Sequence, residues 1–492
     1  MQLTVKIFDK NLFCTVADRP PVSVMLTDAL VAELQACCDQ YHDLQRSDDT
    51  AALLAIGQTL FAVINTQPAE TQLWLNATTG SRRLTVLAEA NPTPEQQLLL
   101  HLPWEILAEN DKFLTADVVP FEVIRRVGEP SSAPLQPRYK DLTLAFMAAD
   151  PGLKSGLNYE AEERAIFTAT RNHRNLNLLV DESGNLEELS RRLSEAGHCD
   201  VLHLSCHGSF DAERGFVLQL EDEQFGPMTA TAHDFGRLRL HEQFSTLFLS
   251  ACHSANHQDK HSLMIDLARL GIANIVGWDG AVADEDATVF AEYFYQALQR
   301  QATVPLACAI ARQALLEKGY THWHLGRCCL SAQGGEALVS RRKPKSQRRK
   351  GKPCHKLLDK EKQEVRVASR ETFVGRRRQT KEALRVFWDR DYAGVLLYAI
   401  GGSGKSSLAA RIADRLEPTF KAAVLYRKYQ PFDVLQTLEA AARGAEKEVA
   451  FPKLIAQVQE RPEQFKNILI EQLEGVFGLF CLREAQGCAS RR

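Results

Sequence analysis

Between Leu142 and Leu330 four short apolar runs, Leu142 to Met147, Val201 to Ser205, Thr246 to Ser250 and Ala273 to Trp278, recur with helical segments or long loops between them. Continuous apolar runs suit strands buried on both faces, and strands joined by long, helix-bearing connections pair in parallel. The pattern therefore predicts an α/β fold with a parallel-rich sheet flanked by helices. Two of the helices are well marked. One runs from Asp284 with Phe290, Tyr293, Phe294, Ala297 and Leu298 at helical spacing, and the next starts near Pro305, a favoured first-turn residue.

The chain is longer than one core usually serves: 492 residues predict two or three domains. Residues 1 to 130 alternate strand-like runs, Leu3 to Phe8 and Gln72 to Leu75, with helical patterns, Asp28 to Tyr41 and Thr50 to Asn65, and end at a polar, proline-containing break from Glu129 to Arg138. With 45% hydrophobic and 25% charged residues the composition is that of a soluble globular protein. A net charge of -3 gives no global pull toward nucleic acid or an anionic membrane, and neither is expected as a partner. The start, MQLTVKIFDKNLFC, lacks the basic, apolar and small-residue succession of a secretion signal, and no stretch approaches the roughly 20 uncharged apolar residues that cross a bilayer. Twelve dispersed cysteines without framework spacing read as reduced thiols, so a cytoplasmic location is expected.

Two of the apolar runs end in reactive residues. Asp200-Val-Leu-His-Leu-Ser-Cys-His-Gly208 closes on a His-Gly pair, and Phe244-Ser-Thr-Leu-Phe-Leu-Ser-Ala-Cys252 closes on a cysteine. Chemistry in open parallel sheets gathers beyond the carboxyl ends of the strands. A thiol attacks only as thiolate, and a neighbouring imidazole takes its proton, so His207 and Cys252 form a candidate catalytic dyad if their strands are adjacent. Gly208 leaves a backbone N-H open to a substrate carbonyl, and the amide of Cys252 is a second donor for an oxyanion hole. A metal site is the other reading of Cys199, His203, Cys206, His207, Cys252, His253, His257 and His261, although no paired CxxC or HExxH spacing supports it. Asp284, Glu285 and Asp286 read first as a helix cap and first turn, and second as acids lining a pocket for a basic side chain.

Histidine then cysteine, 45 residues apart and each at a strand end, resembles the caspase clan, and within it the CHAT group, to which the separases are also similar. The resemblance runs through Leu102-Pro-Trp-Glu-Ile-Leu107, Val201 to Gly208, Leu247 to Cys252, Leu267 to Trp278, Val282-Ala-Asp284, Phe294-Tyr295 and Ala311-Arg312. It implies a cysteine endopeptidase acting on a protein substrate, with Cys252 attacking the peptide carbonyl, His207 transferring the proton and no cofactor needed. Family members often carry an acidic or small polar residue after the cysteine, where this chain has His253.

Between Arg341 and Lys352 the tract RRKPKSQRRKGK, eight basic residues in twelve, reads as a solvated linker. Beyond it, Gly394-Val-Leu-Leu-Tyr-Ala-Ile-Gly-Gly-Ser-Gly-Lys-Ser-Ser-Leu-Ala409 has the strand, loop, helix context of a P-loop, with Ala399 where the strict pattern has glycine. Gly401, Gly402, Ser403, Gly404, Lys405, Ser406 and Ser407 are its candidate phosphate-binding residues and Ser406 the candidate ligand of Mg2+, so ATP with Mg2+ is the cofactor the loop implies. Phe373-Val-Gly-Arg376 upstream resembles the STAND class of signalling NTPases, the NACHT and NB-ARC relatives. No apolar strand ending in paired acids follows Lys405, so this half reads as incomplete and ATP hydrolysis by the chain alone is not expected.

The domain layout expected is 1–130, an N-terminal α/β region of the CHAT module; 140–335, the caspase-like catalytic domain; 336–366, the basic linker; and 367–492, an incomplete P-loop domain. The function expected is a caspase-like cysteine endopeptidase regulated by the nucleotide-binding module and a regulatory protein partner, by analogy in bacterial signalling or defence. Two alternatives stay open: a catalytically inactive CHAT adaptor, and a nucleotide-dependent signalling switch.

Overall fold

The computed structural model describes residues 1–339 apart from 18, 46, 48, 77–79, 134–141, 153–156, 171–175, 198, 212 and 256–261, and further on 367–368, 373, 375–388, 395–416, 423, 431–442 and 451–465. The basic tract Arg341 to Lys352, together with His257 and His261, lies outside the described residues. The chain forms two compact units, 1–349 and 350–492.

The first unit is a mixed α/β body built on one large, mostly parallel sheet with helices packed against it. The strands of its two larger sheets in chain order are β1 (Gln2–Phe8), β2 (Asn11–Val16), β3 (Val22–Met25), β4 (Arg82–Ala88), β5 (Phe121–Val127), β6 (Leu142–Ala148), β7 (Leu176–Asp181) and β8 (Cys199–Ser205). Then come β9 (His207–Asp211), β10 (Gly215–Glu221), β11 (Pro227–Ala230), β12 (Phe244–Ser250), β13 (Asn274–Trp278) and β14 (Gly326–Leu330). Eleven of them order as β3-β2-β1-β4-β5-β14-β13-β12-β8-β6-β7, while β9, β10 and β11 form a small antiparallel sheet of their own. Only β1–β2, β2–β3 and β13–β14 pair antiparallel among the strands of the large sheet. One sheet thus runs through both sides of the break at residues 129–138.

The strands β8 and β12 are buried along their whole length, which is why they read as unbroken apolar runs instead of alternating ones. Helices α1 (Asp28–Leu44), α2 (Thr50–Ile64), α3 (Pro68–Leu75), α4 (Pro94–His101), α5 (Tyr159–Thr170), α6 (Leu186–Ala196), α7 (Ala232–Arg237), α8 (Leu263–Arg269), α9 (Asp284–Gln299) and α10 (Val304–Glu317) cover it. No helix among the described residues is long and apolar enough to cross a membrane.

Three local expectations are corrected. Gln72 to Leu75 is the end of α3, not a strand: Pro68 opens the helix, and Thr71, Trp74 and Leu75 are buried at the three- and four-residue spacing of one helical face. At α9 the N-cap residue is Ala283, with no side-chain cap, so the capping part of that reading fails, while Asp284, Glu285 and Asp286 fill the first turn as expected. There Glu285 accepts from the Tyr320 hydroxyl at 3.0 Å and Asp286 pairs with His322 Nδ1 at 2.8 Å. The expected strand before the glycine-rich loop is not formed among the described residues 395–400; no described residue pairs with it, and Leu396, Tyr398 and Ile400 are 74%, 85% and 83% exposed.

The second unit carries α11 (Arg377–Trp388), α12 (Lys405–Leu416), α13 (Pro431–Ala442) and α14 (Phe451–Glu460). Val434, Leu435 and Leu438 of α13 meet Leu454 and Val458 of α14 in a small apolar cluster.

Candidate active site

Strands β8 and β12 are neighbours in parallel register, with Ser205 opposite Ser250. His207 and Cys252 each follow two residues beyond that pair. The segments stay in touch past the strand ends: the amide of Cys206 donates to the Ser250 carbonyl at 3.1 Å. Gly208 lies so near the second strand end that a Cβ on it would sit 2.3 Å from the Cys252 carbonyl oxygen and 2.4 Å from the Phe216 ring. Only glycine permits this approach. His207 and Gly208 begin β9, paired with Gln219 and Leu218 of β10, so the small sheet holds that side of the site.

The turn after Cys252 is clamped. His253 takes a left-handed backbone, φ 60°, and its amide donates to the Gly280 carbonyl at 2.8 Å. Ala255 N-H reaches the Trp278 carbonyl at 2.9 Å, and the buried Ser254 hydroxyl accepts from the Trp278 amide at 3.0 Å. Asp279, in the same loop, pairs with the buried Arg327.

Cys252 is partly buried and faces a narrow cleft with Leu157, Glu162, Ser205, Val282 and Asp284 among its walls. The cleft holds about 20 Å³, room for roughly one water molecule. The thiol lies 3.9 Å from the Val282 carbonyl. Burial, with the Asp284 charge adding to it, raises the Cys252 pKa above its ordinary value, so at rest the group is a thiol. Removing that charge favours thiolate. Asp284→Asn is expected to move the rate–pH curve of Cys252 alkylation to lower pH and to speed alkylation at pH 7; an unchanged curve would show that Asp284 does not act on the sulfur.

Beside the cleft stands an acid that the sequence did not single out. Glu162 is buried, 3.1 Å from His203 Nε2, and accepts from the Ser250 hydroxyl at 2.7 Å. Burial alone would raise its pKa, but His203, Ser250 and Ser205 outweigh it and hold the carboxyl below the usual range. His203 stacks between Phe146 and Phe248 and meets the Tyr295 hydroxyl through Nδ1 at 2.9 Å. In sequence Glu162 stands within the run Glu160-Ala-Glu-Glu163, where nothing tells a buried acid from a solvated one.

The residues of the metal reading are used separately. His203 is held as above, and the Cys199 thiol lies 3.3 and 3.0 Å from the Thr143 and Val201 carbonyls, either of which can accept its hydrogen. Among the described residues no three His, Cys, Asp or Glu side chains gather to hold a metal ion.

In the second unit, the loop before α12 has Gly402 and Gly404 at φ 75° and 84°, with open space where a side chain would stand on Gly401, Gly402 or Gly404. Lys405 donates to the carbonyls of Ala399 and Ile400, both at 3.0 Å. Ser403 has a buried hydroxyl with no hydrogen-bond partner among the described residues, and Arg376 contacts its carbonyl. Ser407 accepts from the Ala368 amide at 2.9 Å, which ties it to the fold. An open left-handed loop ending in a helix N-terminus fits a phosphate.

The CHAT domain family model matches residues 54–364. No curated protein matches the chain. Among solved structures it is similar to the Arg specific cysteine proteinase gingipain R, with 11% identity and a TM-score of 0.37 over 59% of this chain and 68% of that one. It is also similar to the complex of Porphyromonas gingivalis RgpB pro- and mature domains, with 10% identity and a TM-score of 0.34 over 63% and 77%. The Saccharomyces cerevisiae separase–securin complex matches with 15% identity and a TM-score of 0.32 over 51% of this chain and 15% of that one. With the family model spanning well over half of its length, the chain belongs to the CHAT domain family.

Proposed function

We propose that this protein is a caspase-like cysteine endopeptidase, with Cys252 as nucleophile, His207 as proton carrier and the amides of Gly208 and Cys252 as oxyanion donors. The observation that carries the reading is the common register: on adjacent parallel strands, imidazole and thiol each follow two residues beyond a paired serine. In the reaction His207 takes the thiol proton and the Sγ–C bond forms. The C–N bond then breaks, with the proton passing to the leaving amine, and water hydrolyses the thioester to a free carboxylate and the thiol. Glu162 and Asp284 in the walls beside Cys252 favour a substrate with a basic side chain next to the scissile bond.

The resting cleft is too small for any such side chain, so turnover requires it to open. The nucleotide-binding module is the proposed control, with the amides of residues 401–404 and the Lys405 ammonium holding phosphate and Ser406 as ligand of Mg2+. A bound nucleotide would supply charge and contacts that order the loop. A protein partner that relays this state, and a cytoplasmic setting, belong to the same proposal. The second reading, an inactive adaptor, draws on the closed cleft and the raised thiol.

Alkylation separates the two. Wild-type protein and His207→Ala are treated with iodoacetamide near pH 7, with and without ATP and Mg2+, and labelled cysteines are mapped by mass spectrometry. Selective labelling of Cys252 that slows about tenfold or more without His207 is the expected result, a modest demand on a group that acts as general base. If Cys252 reacts no faster than the other cysteines in every condition and His207 makes no difference, the adaptor reading replaces the protease.

A further inference from the structure

His203 and Ser205 on β8, with Phe248 and Ser250 on β12, share the face of the sheet that the start of α5 covers, because side chains two apart on a strand point the same way. Glu162, buried in the first turn of α5, reaches both strand ends at once. Its carboxylate accepts from the Ser250 hydroxyl at 2.7 Å, takes the Ser205 hydroxyl as another donor and lies 3.1 Å from His203 Nε2. Ser205 and Ser250 stand opposite each other, each two residues before a member of the candidate dyad. At this level the backbone is crossed by the bond from the Cys206 amide to the Ser250 carbonyl, and the carboxylate adds a side-chain tie to a third element. That element is itself anchored. Asn158, whose carbonyl accepts the amides of Ala161 and Glu162, donates its own amide to Asp284 at 3.0 Å. An ionised carboxylate is acceptor-only, with about four lone-pair sites, so it can serve three donors together. An amide in its place would set N-H groups against groups that already donate.

We propose that Glu162 is a positioning residue for the dyad: its carboxylate clamps Ser205 to Ser250, and the clamp fixes the spacing at which His207 takes the proton of Cys252. The proposal rests on the protease reading above. It differs from a purely electrostatic role in sign. Glu162 lines the same cleft as Cys252, and removing a negative charge there would by itself favour the thiolate and speed alkylation. Losing the clamp slows it.

The test measures iodoacetamide labelling of each cysteine in the full chain near pH 7, in whichever nucleotide condition labels wild-type Cys252 fastest. It compares wild type, Glu162→Gln, the double variant Ser205→Ala/Ser250→Ala and the combination of all three changes, each with and without His207→Ala. Glu162→Gln should label Cys252 about tenfold more slowly, on the scale of a misplacement on the order of 1 Å. The serine double variant should lose a similar factor and the combination no more than either, because all three changes break one tie. Adding His207→Ala should then cost little in any of them. The buried thiols of Cys199 and Cys206 should stay unlabelled throughout, whereas a general loosening of the fold would bring them into reaction. An unchanged or raised rate in Glu162→Gln, full reactivity in the serine double variant, or a slowed Cys252 accompanied by labelling of Cys199 and Cys206 would each overturn the proposal and leave the protease reading standing. Wild-type labelling that is indifferent to His207 would remove that reading and this one together.

Discussion

Replacing Glu105 by alanine should lower the stability of the first unit by about 3–5 kcal/mol, the cost of stripping a buried ionic cluster of one partner. Glu105 is fully buried in the Leu102-Pro-Trp-Glu segment and holds Arg125 in a two-pronged pair at 2.6 and 2.9 Å. It also contacts Arg327 and lies 3.8 Å from Arg312. Burial lowers the Arg312 pKa to about 10, so that group stays cationic at neutral pH. Glu105 faces all three buried arginines, whereas burial pushes the Asp279 carboxyl well above its usual range, so the alanine variant removes their shared counter-charge.

The cluster joins distant parts of the chain. Arg125 belongs to β5, Arg312 to α10 and Arg327 to β14, and through Asp279 it reaches the loop whose carbonyls clamp the turn after Cys252. Urea unfolding followed by tryptophan fluorescence should show the midpoint falling by roughly 1–2 M, given slopes of a few kcal/mol per M for a unit of this size. Glu105→Gln, which keeps the shape and an acceptor but not the charge, should fall between the two. An alanine variant within about 0.5 kcal/mol of wild type, the usual range of surface changes, would mean the arginines find other partners and the cluster does not hold the fold.

The parts of this architecture that were legible in sequence are those decided locally. Val201 to Ser205 and Thr246 to Ser250 lie within the observed β8 and β12 because a strand buried on both faces must be apolar throughout. The helix from Asp284 was visible through the spacing of Phe290, Phe294 and Leu298, all now buried. Gln72 to Leu75 was too short to show its period, and three apolar residues in a row do not tell a strand from a helix end. The strand ends bearing His207 and Cys252 could be read, but their equal register could not, because it is set by pairing across 45 residues. Glu162, Glu105 and the arginines were invisible as a group. A buried charge is identified by its partners, and those come from other elements. The apolar run at 395–400 shows the converse: its composition asks for a strand, yet among the described residues it forms none and finds no pairing partner.

Gly208→Ala should abolish the His207-dependent alkylation of Cys252 that the proposed protease reading expects, while leaving the fold intact. The added methyl would meet the Cys252 carbonyl oxygen at 2.3 Å and the Phe216 ring at 2.4 Å. The first contact is backbone in a clamped turn and cannot be relieved by a rotamer change. The second is the end of a ring that can tilt. The strand ends must therefore separate, at a cost of about 1–3 kcal/mol for overpacking, which a unit with this much buried core tolerates. Separation moves His207 and the Gly208 amide away from the sulfur. His207-dependent alkylation of Cys252 is then expected to fall at least tenfold, since misplacement on the order of 1 Å is enough to cost a catalytic contact that much. Gly208→Ala/Phe216→Leu should recover stability by trimming the ring yet recover little reactivity, because the clash with the carbonyl remains. Full recovery in the double variant would locate the conflict at the ring alone and would remove the contact between Gly208 and Cys252 from any account of how the site is held.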